Sequence, residues 1–135
     1  MATQTQASVE HFMTPNPHCI GVEQTLSSAH ERMRAFGVRH LPVLDGGKLV
    51  GILSQRDLFF VETLRDVDPA KVSVAEAMTA DVYSVSPEKA VGEVAAKMAE
   101  RKFGCAVVVR GHHVAGIFTT SDALRVIVGI VAAWQ

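Results

Sequence analysis

Two short segments of the chain place a hydroxyl residue three positions before an aspartate. They are GILSQRD at residues 51–57 and GIFTTSD at residues 116–122. Each pattern predicts a strand that ends where a helix begins, and helix N-termini favour phosphate. Ser54 or Thr119 could donate to phosphate oxygens, and Asp57 or Asp122 could accept from the two hydroxyls of a ribose. The same spacing also fits a helix capping box, which needs no ligand, so both interpretations stay open.

Cationic side chains accompany only the first of these segments. Arg39 and His40 precede a predicted central strand, and Arg56 lies within the segment itself. Arginine offers a planar fork of donors that suits phosphate, and histidine can gain charge near neutral pH. At positions 65 residues further along, the chain has three uncharged residues: Gly104, Cys105 and Ser121. A phosphate site in the second half is therefore in doubt, and a solvated surface charge is the alternative for Arg39 and Arg56.

The same offset of 65 residues relates the two halves of the chain throughout. Matched pairs, found without a gap, include Val9 with Val74, Met13-Thr14 with Met78-Thr79, Glu23 with Glu88, Gly51 with Gly116 and Asp57 with Asp122. Similarity at a fixed offset is the signature of a repeat. Each copy predicts the order helix, strand, helix, strand, strand, helix. The apolar stripes of the longer helices are Leu26, Ala29, Met33 and Phe36 in the first copy and Val91, Val94, Ala95 and Met98 in the second.

This series of strings resembles tandem cystathionine β-synthase (CBS) domains. VEHFMTPN and VAEAMTAD are followed by GVRHLPV or FGCAVVV, and then by VGILSQRD or AGIFTTSD. The resemblance implies an α/β (α+β) fold, in which each repeat is a small sheet packed by two helices and the pair has pseudo-twofold symmetry. It also implies a regulatory module, often dimeric, that binds AMP, ADP, ATP or S-adenosylmethionine in a cleft between the repeats. It does not imply catalysis.

The predicted domain boundaries follow the repeat. We expect a disordered N-terminus at 1–7, a first CBS repeat at 8–61 and a linker at 62–72, which is charged and contains Asp68-Pro69. A second repeat is expected at 73–128, with residues 129–135 ending the C-terminal helix.

The resemblance further suggests that the segment after Met-Thr in the opposite copy holds the adenine ring. For the first site this segment is 80–87, and for the second site it is 15–22. The predicted nucleotide-binding set is therefore Arg39, His40, Ser54, Arg56, Asp57, Val82, Ser84, Ser86, Thr119, Ser121, Asp122 and Ile20. An ordinary loop and edge strand is the alternative for both segments.

Composition argues against several other classes of protein. The formal net charge is −1 and no basic patch is visible, so we expect no nucleic-acid partner. The most apolar stretch, 126–134, is much shorter than the ~20 residues that span a membrane. The two cysteines are read as reduced thiols, which predicts a cytoplasmic protein.

Chemical function other than binding has no local signature in the chain. There is no His-x-x-x-His or Cys-x-x-Cys pair, so no metal or required cofactor is expected. No nucleophile with a base is recognisable, which predicts that the chain is not an enzyme. The final helix is apolar on nearly every side, and this favours burial against a second copy in a homodimer. A ligand-free scaffold dimer and an S-adenosylmethionine sensor are the alternatives to a nucleotide sensor, and the regulated protein is unknown.

Overall fold

The computed structural model describes residues 7–64 and 66–134, which form two compact units. One unit is the uninterrupted segment Pro17–Val82 and is called the continuous unit. The other combines residues 7–16 with residues 83–134 and is called the discontinuous unit. The predicted disorder at residues 1–6 lies outside the described residues. Ala7 accepts a hydrogen bond from the backbone N–H of Val91 at 2.9 Å.

The continuous unit has a three-stranded sheet in the order β2-β3-β4. Its elements are β2 (Ile20–Gly21), α1 (Leu26–Phe36), β3 (His40–Asp45), β4 (Lys48–Ser54), α2 (Gln55–Glu62) and α3 (Val74–Ala77). β2 runs parallel to β3, and β3 and β4 form an antiparallel hairpin. The order from β2 to α2 confirms the strand, helix, strand, strand, helix part of the series predicted for one repeat, and the predicted first helical turn of this repeat, at Val9–His11, belongs to the discontinuous unit.

The discontinuous unit has a four-stranded sheet in the order β1-β7-β6-β5. Its elements are a 3-10 turn (Val9–His11), β1 (Thr14–Pro15), β5 (Ser84–Val85), α4 (Val91–Arg101), β6 (Cys105–Arg110), β7 (His113–Thr119) and α5 (Thr120–Ala132). The two β-hairpins share an irregularity at the same offset, between Val43 and Leu44 and between Val108 and Val109. The mixed α/β fold with two small sheets is thus the predicted one.

Helix α1 shows how the sequence sets its own limits. The side chain of Thr25 accepts a hydrogen bond from the N–H of Ser28 at 3.2 Å and caps the start. Gly37 ends the helix with φ of 64°, a left-handed conformation that glycine adopts without strain. Leu26, Ala29 and Met33 are buried, as predicted. Phe36, the last member of the predicted apolar stripe, is 49% exposed, so the buried face of the helix ends before it. It lies on the last turn of the helix, where its ring stacks on the imidazole ring of His18 with 3.5 Å between the ring centroids.

Helix α4 repeats this arrangement with one difference at its end. Val94 and Met98 are buried, while Val91 and Ala95 are only partly buried. The helix ends at Lys102, which holds φ of 60° where its counterpart Gly37 holds 64°. A side chain with a Cβ is strained in this region, so the second repeat carries a local cost that the first repeat avoids.

Each unit is completed by a Met-Thr segment from the other repeat. In the continuous unit, Ile52 and Thr79 exchange two backbone hydrogen bonds of 2.9 Å, and a Cβ on Gly51 would collide with Met78. In the discontinuous unit, Thr14 pairs with Ile117, and a Cβ on Gly116 would collide with Met13. Glycine is required at both positions because methionine lies directly on the strand. The repeated glycines and methionines are therefore partners in one contact.

The segment predicted as a linker belongs to the continuous unit. The carbonyl groups of Pro69 and Val72 accept hydrogen bonds from the backbone N–H groups of Ser27 and Leu26, at 3.1 and 3.0 Å. These bonds satisfy donors at the N-terminus of α1. The chain passes between the units at residues 16–17 and 82–83, so the compact units do not coincide with the two linear repeats.

Helix α5 leaves most of its apolar side chains in solvent. Ala123 and Val126 are partly buried against the core of the discontinuous unit. The exposed apolar side chains of α5 and the residues that follow it are Leu124, Ile127, Val128, Ile130, Val131 and Trp134. The expectation that an apolar helix is buried is therefore not met within this chain, and an apolar surface remains.

Candidate functional site

The junction between β4 and α2 holds the first hydroxyl-x-x-acid segment. Asp57 donates its backbone N–H to Ser54 Oγ at 3.0 Å, and Asp57 Oδ2 accepts from the N–H of Ser54 at 2.9 Å. These two bonds form a capping box, so the capping interpretation is correct here. Among the described residues, no donor reaches Asp57 Oδ1. The half-buried carboxylate therefore retains an oxygen that could accept from a ligand.

Three cationic or titratable side chains surround this junction. His40 lies opposite Ser54 in the β3–β4 ladder, and the carbonyl of Arg39 accepts from the N–H of Gln55 at 2.8 Å. Burial lowers the pKa of His40 below its ordinary value; the Asp57 carboxylate opposes this effect, while Arg39 and Arg56 add to it. Two arginines and a neutral imidazole thus meet beside one carboxylate. The structure brings together the predicted group of Arg39, His40, Ser54, Arg56 and Asp57.

The junction between β7 and α5 repeats the capping box in the discontinuous unit. Asp122 donates its N–H to Thr119 Oγ1 at 3.2 Å, and Asp122 Oδ2 accepts from the N–H of Thr119 at 2.9 Å. The hydroxyl of Thr119 also lies 3.1 Å from the same carboxylate oxygen. Asp122 is only 5% exposed, which makes it the buried counterpart of Asp57.

Two further residues bind Asp122, and sequence reasoning missed both. Arg125 Nη1 donates to Asp122 Oδ1 at 2.7 Å, and Thr14 Oγ1 donates to the same oxygen at 3.2 Å. The spacing of three residues between Asp122 and Arg125 on one helix was a visible signal for the ion pair. The Thr14 contact had only an indirect signal, which is that Met-Thr is repeated in both copies.

The positions that correspond to the cationic group are uncharged in the discontinuous unit. Cys105 lies opposite Thr119, as His40 lies opposite Ser54. Burial raises the pKa of the Cys105 thiol to about 12, so this side chain stays neutral at physiological pH. The carbonyl of Gly104 accepts from the N–H of Thr120 at 3.1 Å, and Ser121 is exposed. Among the described residues, the cation that pairs with Asp122 is Arg125, which lies on the helix rather than at the strand end.

The residues predicted to hold adenine are distributed over both units. Val82 is half-buried at the end of the continuous unit. Ser84 and Ser86 are exposed on and after β5, in an open groove of about 540 Å³ that is also lined by Lys89 and Lys97. Ile20 is 1% exposed and packs in the core of the continuous unit, so only its backbone could meet a ligand.

The part of the chain that the structure describes lacks two other features, a cluster of metal ligands and a membrane-spanning helix. No group of three or more His, Cys, Asp or Glu side chains there is arranged to hold a metal ion. None of its helices combines the length and apolarity needed to span a bilayer. His30 Nε2 forms a hydrogen bond with Glu62 Oε1, which ties α1 to the end of α2 in the continuous unit.

Comparison with known proteins identifies the family. The sequence model of the CBS domain matches residues 9–62 and again residues 74–129. The chain therefore belongs to the CBS domain family and contains a tandem pair of these domains. Membership indicates a regulatory module that binds a ligand.

Solved structures support this fold. An acetoin utilization protein (AcuB) from Vibrio cholerae is 34% identical with a TM-score of 0.84, and the match covers 94% of each chain. A CBS domain pair solved with 5'-methylthioadenosine and S-adenosyl-L-methionine is 26% identical with a TM-score of 0.81, covering 92% of this chain and 98% of that one. CBSX2 in complex with AMP is 26% identical with a TM-score of 0.80, covering 91% and 97%.

Proposed function

We propose that this chain is a sensor of adenine nucleotides (AMP, ADP or ATP) whose principal site is the β4–α2 junction of the continuous unit. The observation that carries the proposal is the convergence of Arg39, His40, Arg56 and Asp57 around the capped start of α2. This arrangement combines donors for a phosphate with one carboxylate oxygen that lacks a partner among the described residues. A bound nucleotide would alter the module, and an unidentified protein would respond to the change.

Each side chain has a definite part in this proposal. The guanidinium groups of Arg39 and Arg56 would bind the phosphate, and His40 would gain a proton as the anion arrives. The N-terminus of α2 adds N–H donors and a positive dipole end. Asp57 Oδ1 would accept from the ribose hydroxyls, and Val82 would offer apolar contact to the adenine ring. The AMP complex of CBSX2, a chain of similar fold, supports this choice of ligand.

Thermal unfolding with and without nucleotide tests the proposal. A ligand at one hundred times its Kd should add about 2.7 kcal/mol to the free energy of unfolding. AMP, ADP and ATP would be compared at millimolar concentration. The decisive variant is Asp57→Asn, which keeps an oxygen that can cap α2 but weakens acceptance from a ribose. Its matched control is Asp122→Asn. Loss of the nucleotide shift in Asp122→Asn alone would move the site to the discontinuous unit, and no shift in the wild type would refute the proposal.

S-adenosylmethionine is the alternative ligand, and a complex of a related CBS pair with this compound supports it. It has no phosphate and carries a positive sulfonium, so Arg39 and Arg56 would repel that centre. We therefore expect weaker binding than for AMP. Replacing both arginines with glutamine should weaken the binding of AMP and leave the binding of adenosine unchanged. The matched control is Arg34→Gln, which changes an exposed arginine on α1. Stronger binding of S-adenosylmethionine than of AMP would favour the alternative.

A ligand-free scaffold dimer is a second candidate, and the exposed apolar surface of α5 favours it. A homodimer formed through this helix would bury that surface, and each Å² of apolar surface buried would stabilise the dimer by about 25 cal/mol. Ile130→Glu should then convert a dimer to a monomer in light-scattering measurements, whereas Arg101→Glu, an exposed position at the end of α4, should not. A dimer that melts identically with every nucleotide would support the scaffold function. The cytoplasm remains the predicted location, because it keeps Cys19 and Cys105 reduced.

A further inference from the structure

We infer that Arg125 is a specificity residue that closes the β7–α5 junction to ribose. The inference rests on the proposed function, because it concerns the same ligand chemistry in the second repeat. The contact that carries it is the ion pair of 2.7 Å between Arg125 Nη1 and Asp122 Oδ1. In this pair, a guanidinium occupies the carboxylate oxygen that a ribose hydroxyl would need.

The carboxylate of Asp122 has its acceptor sites filled. Oδ2 accepts from the N–H and the hydroxyl of Thr119, and Oδ1 accepts from Arg125 and Thr14. A carboxylate has about four lone-pair directions, so four donors leave none for the two hydroxyls of a ribose. A nucleotide could enter only by displacing Arg125, Thr14 or both.

The equivalent carboxylate differs at each of these contacts. Position 60, which corresponds to Arg125, holds an exposed phenylalanine, whose side chain has no hydrogen-bond donor. Thr79, which corresponds to Thr14, makes backbone bonds to Ile52, and no side-chain bond joins it to Asp57 among the described residues. One substitution in the repeat, Phe60 against Arg125, therefore removes from the first junction the charged donor that binds Oδ1 of Asp122.

The strength of the ion pair between Arg125 and Asp122 suits a side chain that blocks a site and can be displaced, rather than a bond that the fold requires. The Arg125 side chain is 74% exposed, so water screens the pair and the side chain can leave without unfolding α5. Asp122 is buried, and a charge-assisted bond to it is stronger than a surface pair. Because a ligand must first displace Arg125, we expect nucleotide affinity at this junction to be lower by roughly tenfold than without this arginine.

Titration calorimetry with AMP and with adenosine tests this role in variants that exchange the two residues. Phe60→Arg should weaken binding at the continuous unit by roughly tenfold. In an Asp57→Asn background, Arg125→Phe should restore binding of adenosine, which has a ribose but no phosphate, through the second junction, and Arg125→Gln should do the same without adding an exposed aromatic ring. Arg125→Lys, which keeps a cation at that position, should not restore it.

The outcomes separate this inference from the proposed function. If the wild type binds AMP but neither Arg125 variant restores binding to Asp57→Asn, the role of Arg125 is refuted and the function stands. If Arg125→Gln as a single substitution weakens the binding of AMP, Arg125 is a ligand contact and the inference is also refuted. If neither the wild type nor any variant binds AMP, both fail.

Discussion

The two strand-to-helix junctions have nearly the same backbone and different chemistry. Both are capped by a hydroxyl residue three positions before an aspartate, and both lie beside a Met-Thr segment from the other repeat. Asp57 is half-buried, has one bonded oxygen and stands among Arg39, His40 and Arg56. Asp122 is buried and has both oxygens bonded by neighbours. The difference shows that one repeated framework can make an aspartate either available for binding or part of the structure.

The largest expected effect is the difference in the free energy of unfolding between variants that lack one or the other aspartate. Asp122→Ala should lower the free energy of unfolding by about 2–3 kcal/mol, because it leaves the N–H and hydroxyl of the half-buried Thr119 without their acceptor and also removes the bonds from Thr14 and Arg125. Asp57→Ala should cost about 1 kcal/mol, the usual value of a lost helix cap. Urea unfolding of both variants measures the difference. Equal costs would mean that the extra bonds to Asp122 do not stabilise the fold.

The glycines under the methionines give the next effect. Gly51→Ala and Gly116→Ala should each cost about 1–3 kcal/mol through overpacking. The three atoms nearest to a Cβ at Gly116 all belong to the Met13 side chain, whereas a Cβ at Gly51 would also lie 3.0 Å from the carbonyl oxygen of Thr79. Shortening the methionine should therefore rescue Gly116→Ala more fully than Gly51→Ala. Double-mutant cycles, one for each glycine and its methionine, check this difference.

A smaller effect separates the ends of the two equivalent helices. Lys102→Gly should stabilise the protein by about 1 kcal/mol, since glycine relieves the left-handed conformation. Gly37→Lys should destabilise it by a similar amount for the same reason. Thermal unfolding of both variants provides matched measurements. A loss of stability in Lys102→Gly would show that the lysine side chain makes a compensating contact.

The smallest effect is a dependence on pH that only the first junction should show. His40 has a lowered pKa when folded, so the unfolded chain binds more protons just below the ordinary value of 6.5. Stability should be complete above that pH and should fall as the pH drops through the unfolded pKa toward the folded one. His40→Gln should flatten this part of the profile. An unchanged slope in the variant would assign the effect to another group.

The sequence predicted the repeated framework well because the framework depends on local patterns. Strand alternation, helical spacing and turn glycines specify the elements of each copy, and the capping boxes at Ser54 and Thr119 are readable in the same way. The group around Asp57 could also be predicted, since its members lie within two short segments that a hairpin brings together.

Other features depend on contacts that are distant in sequence. The bond between Thr14 and Asp122 joins residues 108 positions apart, and no local pattern specifies it. The exposure of Phe36 also escaped prediction, because the last turn of a helix can extend beyond the sheet that the earlier turns cover. Ile20 fitted the pattern of a binding strand, yet its side chain fills the core.

The exchange of Met-Thr segments has a consequence for the order of folding. The continuous unit has all of its residues within 17–82, so a ribosome delivers it complete before the second sheet exists. The discontinuous unit must wait for β7, and then join it to a strand synthesised about a hundred residues earlier. Closing such a long loop is entropically costly and slow to nucleate. During synthesis, Thr14 and Pro15 would therefore remain without their native strand partner until β7 emerges.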